Sequence, residues 1–189
     1  DSLGKNVFAA VMTHKRKSKN YYSAYFSGDQ SVEILIAAYG PDLSNELLKT
    51  IAAIVTHSKS SETNRATALY LLSYFSLPDT LSTQVSNIVD NEPNALIRSL
   101  WSVNQVRNRI ADASDVKLLK VVAAASKSPN DSIHPINEAL LTVGDLTGAE
   151  ESIYSMLTNP AATSQHREAW VDSASRTAEG RQLLLRMLD

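Results

Sequence analysis

The densest run of charge in the sequence lies near the N-terminus. Lys15, Arg16 and Lys17 begin the basic stretch at 15–19, and four aromatic residues follow between positions 21 and 26. Cationic side chains beside stackable rings could bind an anionic strand or a phosphorylated segment. The same residues also suit a solvated helix end, where cations are favourable and the rings close a core. We favour the helix end and keep Lys15, Arg16 and Lys17 as candidate partner-binding residues.

Arginine placement gives a second group of candidates. Six of the nine arginines, and no lysine, fall in segments predicted to be the second helices of helix pairs. Three of them, Arg65, Arg98 and Arg167, occupy corresponding positions just after acidic or polar turns. A planar guanidinium group can donate several hydrogen bonds at once. We therefore predict that these three arginines tie neighbouring turns together.

The other three of these arginines, Arg107, Arg109 and Arg176, lie later in their segments. If their side chains share the concave face of a helical array, they form a local positive strip suited to an acidic peptide. Replacing Arg107 and Arg109 together by alanine is then expected to leave stability almost unchanged and to weaken salt-sensitive binding. These three arginines are the main candidate partner-binding residues.

Motifs for catalysis, metals or nucleotides are lacking in the sequence. It has no cysteine and no His-x-x-x-His pair among its four histidines, which argues against thiol nucleophiles, disulfides and zinc sites. No serine lies in a Gly-x-Ser-x-Gly elbow, and no Gly-x-x-x-x-Gly-Lys loop is present. The segment 145–148 is only superficially like an aspartic-protease loop. We expect a chain that is not an enzyme and needs no cofactor.

Overall charge and hydropathy limit the partners. The formal net charge is -2, which gives no general reason to expect nucleic acid or an anionic membrane. No apolar run approaches the roughly 18 residues of a membrane span. The absence of cysteine favours an exported or bacterial-envelope protein over a cytoplasmic one. The start at Asp1, without an initiator Met or a signal-peptide core, indicates a processed chain or a piece of a larger protein.

Apolar residues recur at helical spacing from position 43 onward. Leu47, Leu48, Ile51 and Val55 form one stripe at steps of three and four, and similar stripes follow at 96–101, 118–125, 133–143 and 183–188. Polar and proline-containing turns separate these stripes. Residues 42–189 are predicted to form helical repeats. Residues 1–41 are predicted to form a helical cap, with a β-hairpin at 21–39 as the alternative.

The predicted helices recur at the period of a repeat protein. First helices near 81, 115, 150 and 179 are 34, 35 and 29 residues apart, and second helices near 64, 94, 132 and 165 are 30, 38 and 33 apart. Trp101 and Trp170 each lie three residues after an arginine, Arg98 and Arg167. This shared spacing predicts a common core position rather than two ligand sites.

The turns before the second helices resemble those of the HEAT and armadillo-like family. In that family an acidic or proline-containing turn leads to a basic residue and then to small and apolar residues. The segments 90–100, 62–66 and 165–169 are similar, whereas 131–134 has histidine where arginine is usual. The resemblance covers about residues 42–189 and implies an all-α fold, a right-handed α-α superhelix of about five HEAT-like helix pairs.

This architecture suggests function only by analogy. The leading hypothesis is a non-catalytic scaffold whose concave face binds a protein or peptide, possibly an acidic one. One alternative is a helical regulatory or substrate-gripping domain of a larger enzyme. A second alternative is the helical part of a lipid-transfer protein, although no β-rich region is predicted to build a lipid cavity.

Overall fold

The computed structural model describes residues 45–125, 134–160, 162 and 164–188 of the 189-residue chain. In these ranges the chain forms nine α-helices and no β-strand, so the predicted all-α class is confirmed for the described residues. The helices are α1 (Asn45–Thr56), α2 (Glu62–Leu72), α3 (Asp79–Val89), α4 (Ala95–Arg107), α5 (Ala113–Ala125), α6 (His134–Val143), α7 (Glu150–Leu157), α8 (Ser164–Ser175) and α9 (Ala178–Arg186). The predictions for residues 1–41, including Lys15, Arg16 and Lys17, fall outside the described residues.

Polar side chains fix the starts of several helices. Ser61 accepts a hydrogen bond from the Asn64 amide at the start of α2, with an N···O distance of 3.2 Å. Asn94 caps α4 and Thr177 caps α9 in the same manner. These bonds satisfy backbone donors that the first turn of a helix leaves unpaired. Helix α7 differs, because its N-cap is Ala149 and no side chain caps it.

The helices pack as consecutive pairs with their second members side by side. Helices α1 and α2, α3 and α4, α5 and α6, and α7 and α8 are in contact, and α9 packs against α8. The second members also contact one another in order, α2 with α4, α4 with α6, and α6 with α8. We call α2, α4, α6 and α8 the second-helix layer. It is the part of the fold that carries most of the candidate arginines.

Helix α4 joins two hydrophobic cores. Trp101 packs in a core with the apolar residues of α1 to α3, whereas Val103 and Val106 belong to a core that extends to Leu183 of α9. The stripe predicted for α1 is buried, with Leu47 and Ile51 at 1% and 0% exposure. Because one helix contributes to both cores, its neighbours on either side pack onto a shared element.

Burial decreases along the second-helix layer. Every residue from 66 to 73 in and just after α2 is buried, so this helix is covered on all sides. At the other end, between residues 167 and 175 of α8, only Trp170 and Ala174 are buried. The open surface of the layer therefore lies on α8 and on the end of α6, where Thr142 and Val143 are exposed.

Candidate functional site

The turn before α4 is held by two arginines from the predicted set. Arg65 of α2 donates from Nε to Glu92 Oε2 at 3.1 Å, and its Nη2 lies 2.9 Å from the same oxygen. Arg98 donates from Nη1 to the carbonyl oxygens of Glu92 and of Pro93. The Glu92 side chain is only 7% exposed, so Arg65 compensates a nearly buried charge. Arg65 thus connects α2 to the turn that precedes α4, and Arg98 connects that turn to α4 itself.

The corresponding position in the last two pairs behaves differently. In α6 it is taken by Asn137, which is fully buried and whose Nδ2 donates to the Ser152 carbonyl oxygen of α7 at 3.2 Å. In α8 it is Arg167, which is exposed and has no hydrogen-bond acceptor among the described residues. The turn before α8 lies partly outside the described residues, so the turn-tying role of Arg167 stays a prediction.

We expect Arg98→Ala to reduce the free energy of unfolding by about 1–2 kcal/mol, because two carbonyl groups of the turn lose a charged donor. Arg167→Ala is the matched control, since it removes the same side chain from the same helical position without breaking a bond to any described residue. Its loss should stay below about 0.5 kcal/mol. Urea denaturation of both variants measures the difference, and equal losses would contradict the assigned role of Arg98.

A second polar network crosses the layer at Glu138 of α6. One carboxylate oxygen, Oε2, lies 3.3 Å from Nη2 of Arg107 in α4, and the other, Oε1, accepts a 2.6 Å hydrogen bond from Trp170 Nε1 in α8. Arg107 also donates from Nη1 to Ser73 Oγ at 2.7 Å, and its guanidinium carbon lies 4.0 Å from the ring centre of Tyr74. We call Ser73, Tyr74, Arg107, Glu138 and Trp170 the Glu138 network. It connects all four helices of the layer.

Arg107 is held in its charged form by this network. Burial alone would lower the pKa of its guanidinium group, but the charge interactions with Tyr74 and then Glu138 outweigh it and raise the pKa above its ordinary value. The side chain keeps 23% exposure. The guanidinium group is therefore a partly buried cation that contacts Ser73, Tyr74 and Glu138.

This placement corrects the predicted positive strip. Arg107 pairs with Glu138 within the protein. Arg176, one residue beyond α8, forms an ion pair with Asp172 of α8. Arg109 lies two residues beyond α4 in an exposed turn. The three arginines therefore present no continuous positive surface. Because Arg107 has several partners within the protein, we now expect removing Arg107 and Arg109 together to reduce stability.

The two tryptophans occupy the same register of their helices. Trp101 is the seventh residue of α4 and Trp170 the seventh residue of α8, and their exposures are 5% and 4%. The His134 ring meets the Trp170 ring edge to face at 4.9 Å between centroids. Both indoles are buried as a core position requires. Trp170 has the additional role of hydrogen-bonding Glu138, which the sequence did not suggest.

Perturbed carboxylates on the described surface have structural causes. A hydrogen bond from Ser114 lowers the pKa of Asp112, which caps the start of α5. A hydrogen bond from Lys120 lowers the pKa of Asp145 in the turn after α6. Among the described residues no group of three or more His, Asp or Glu side chains is placed to hold a metal ion. None of the helices described is both long enough and apolar enough to span a bilayer.

Comparison with known proteins leaves the family prediction as it stands. No protein-family model, curated protein or solved structure matches this chain. The case for a function therefore rests on the geometry of the chain itself.

Proposed function

We propose that this chain is a non-catalytic scaffold that binds a protein or peptide segment. In this proposal the helix pairs form a right-handed α-α superhelix of HEAT-like repeats with the second-helix layer on its concave face. Second helices that begin at residues 62, 95, 134 and 164 support it, because such spacing is typical of stacked helical repeats. The ordered contacts between successive second helices support it as well.

The proposal rests on the open surface of the second-helix layer, whose helices are held together by hydrogen bonds within the layer. Thr142 on α6, together with Ala169 and Asp172 on α8, is exposed. Beside them, Glu138 hydrogen-bonds Trp170 and pairs with Arg107, which holds α6 against both of its neighbours. A surface that is already ordered loses little conformational entropy when a partner binds. A peptide could therefore bind to α6 and α8 without prior rearrangement.

The charges on this surface favour no strongly acidic or basic partner. Arg176 pairs with Asp172, Arg107 pairs with Glu138, and Glu168 adds a negative charge on the exposed side of α8. Alternating charges of this kind suit a polar peptide with mixed charges better than the phosphate backbone of a nucleic acid, which requires a basic stripe.

Blocking the surface tests this function. Random dodecamer peptides displayed on phage are selected on the immobilised full chain, and the dissociation constants of selected peptides are measured by fluorescence anisotropy. Ala169→Trp places a bulky ring on the open surface and should weaken binding at least tenfold. Val121→Trp is the matched control, because Val121 is a 57% exposed residue of the first-helix α5. Failure to select any saturable binder, or binding that only Val121→Trp impairs, would refute the proposal.

A further inference from the structure

The turn that follows α4 ends the helix in a strained conformation. Ile110 N–H donates to the Gln105 carbonyl oxygen at 2.9 Å, and Arg109 N–H donates to that of Val106 at 3.0 Å. This pair of bonds is a Schellman motif, and it places Arg109 at φ 60, in the left-handed region. Among the described residues Arg109 is the one non-glycine residue with a positive φ.

The end of α6 also has a residue with positive φ, but without strain. There Gly144 has φ 80, and its N–H donates to the Leu140 carbonyl oxygen at 2.9 Å. Glycine adopts this conformation freely, whereas a side chain with a Cβ meets the backbone. Arg109 therefore has a steric cost that glycine would avoid in the same turn. A residue kept in such a conformation indicates a role for its side chain.

The Arg109 side chain is exposed and uncommitted. Within the described part of the chain no group accepts a hydrogen bond or forms an ion pair with its guanidinium. The nearest acidic residues in sequence are already used, since Asp112 accepts from the Ser114 amide at 2.7 Å and Asp115 accepts from Ser102 Oγ at 2.6 Å. The guanidinium is thus available for a carboxylate from another molecule.

A groove with apolar edges is lined by the two residues that flank this arginine in sequence, Asn108 and Ile110. Its lining consists of Ser76, Leu77, Ser82, Asn104, Asn108 and Ile110. Asn104 Nδ2 donates to the Leu72 carbonyl oxygen at 2.8 Å, and Ser76 Oγ donates to Asn108 Oδ1 at 2.7 Å, so the polar wall is internally bonded. Ile110 is 61% exposed at the edge of the groove. The groove is therefore an ordered surface for an apolar side chain, and Arg109 directly precedes its edge residue Ile110.

We propose that this α4 corner, formed by Arg109, Ile110 and the adjoining groove, is a docking point for a partner-protein segment with an acidic residue beside an apolar one. The carboxylate pairs with Arg109, and the apolar side chain packs between Leu77 and Ile110. Arg109 supplies the charge complementarity, since its exposed guanidinium has no acceptor within the described part of the chain. The inference rests on the proposed binding of protein segments but uses a surface separate from the exposed residues of α6 and α8.

The test replaces Arg109 by the residue that the turn itself prefers. Labelled dodecamers selected from the same random display library on the full chain are measured against the wild type and Arg109→Gly by fluorescence anisotropy. We expect selected peptides with adjacent acidic and apolar residues, and at least tenfold weaker binding of these peptides by Arg109→Gly. We also expect the melting temperature of the variant to rise by about 2–4 °C, because the strain is relieved. A purely structural arginine would instead lower it.

Three further variants test whether peptide binding depends on the α4 corner. Arg109→Lys should recover only part of the binding, since lysine lacks the planar fork. Ile110→Ser should also weaken binding, whereas Arg167→Ala, another exposed arginine without an acceptor, should not. Peptides without acidic residues, or equal binding by Arg109→Gly, would overturn the inference. If peptides that overturn this inference still lose binding to Ala169→Trp, the proposed function stands. If no peptide is selected at all, the inference and the proposed function both fail.

Discussion

Glu138→Ala is expected to lower the free energy of unfolding by about 3 kcal/mol. The substitution leaves the Arg107 guanidinium without its carboxylate and the Trp170 indole N–H without its acceptor. Each group has left bulk water, so each lost partner costs more than an ordinary surface contact. The side chains of Arg107 and Glu138 keep 23% and 35% exposure, which places the loss at the lower end of the range for buried pairs.

Two control variants separate the effect of the Glu138 charge from that of an ordinary surface ion pair. Glu138→Gln keeps an oxygen acceptor but removes the charge, so its loss should fall between those of the wild type and Glu138→Ala. Glu151→Ala breaks the ion pair with Arg186 at 2.9 Å, but Glu151 is 83% exposed and the loss should stay within about 0.5 kcal/mol. Urea unfolding followed by tryptophan fluorescence measures all three. Similar losses for Glu138→Ala and Glu151→Ala would mean that the Glu138 network is not stabilising.

Gly180→Ala is expected to destabilise the protein by about 3 kcal/mol, through steric conflict between α8 and α9. A Cβ on residue 180 would lie 2.3 Å from the carbonyl oxygen and 2.8 Å from Cα of Ala174. These are backbone atoms, so no side-chain rotation relieves the overlap and α9 must shift. Leu183, which α9 buries in the second core, would move with it.

Gly148→Ala provides the comparison for this clash. Its Cβ would meet no atom within 4 Å, but the residue has φ +83, so alanine bears only the cost of the left-handed conformation, about 1 kcal/mol. Thermal unfolding of the two variants separates backbone overlap from backbone conformation. If Gly180→Ala proves no more harmful than Gly148→Ala, the close approach of α8 and α9 contributes little to stability.

Helices that carry an apolar stripe were predictable because the stripe is a local property. Leu47, Leu48, Ile51 and Val55 alone define α1 and its buried side. The shared position of Trp101 and Trp170 was also predictable, since it depends only on their spacing from a preceding arginine. The start of α7 was predicted near residue 150 and lies at Glu150, but the sequence did not show that two turn glycines lead into this helix without a side-chain cap.

The Glu138 network was missed because each of its bonds joins residues about one repeat apart. Arg107 precedes Glu138 by 31 residues, and Glu138 precedes Trp170 by 32. Aligning the second helices would have placed these side chains on adjacent helices and suggested that Arg107 has an internal partner. The left-handed conformation of Arg109 left no signal in the sequence, since glycine is the residue that usually indicates such a turn.

Because Glu138 bonds to helices on both sides, it affects how the protein unfolds. In a row of helices that pack mainly on their neighbours, the outermost members can fray while the interior stays intact. Glu138 hydrogen-bonds forward to α8 and pairs backward with α4, so fraying of α8 removes one of the two contacts that orient the carboxylate beside Arg107. Opening at one end of the row thus weakens an interior ion pair two helices away. This coupling favours concerted unfolding of the row over stepwise peeling.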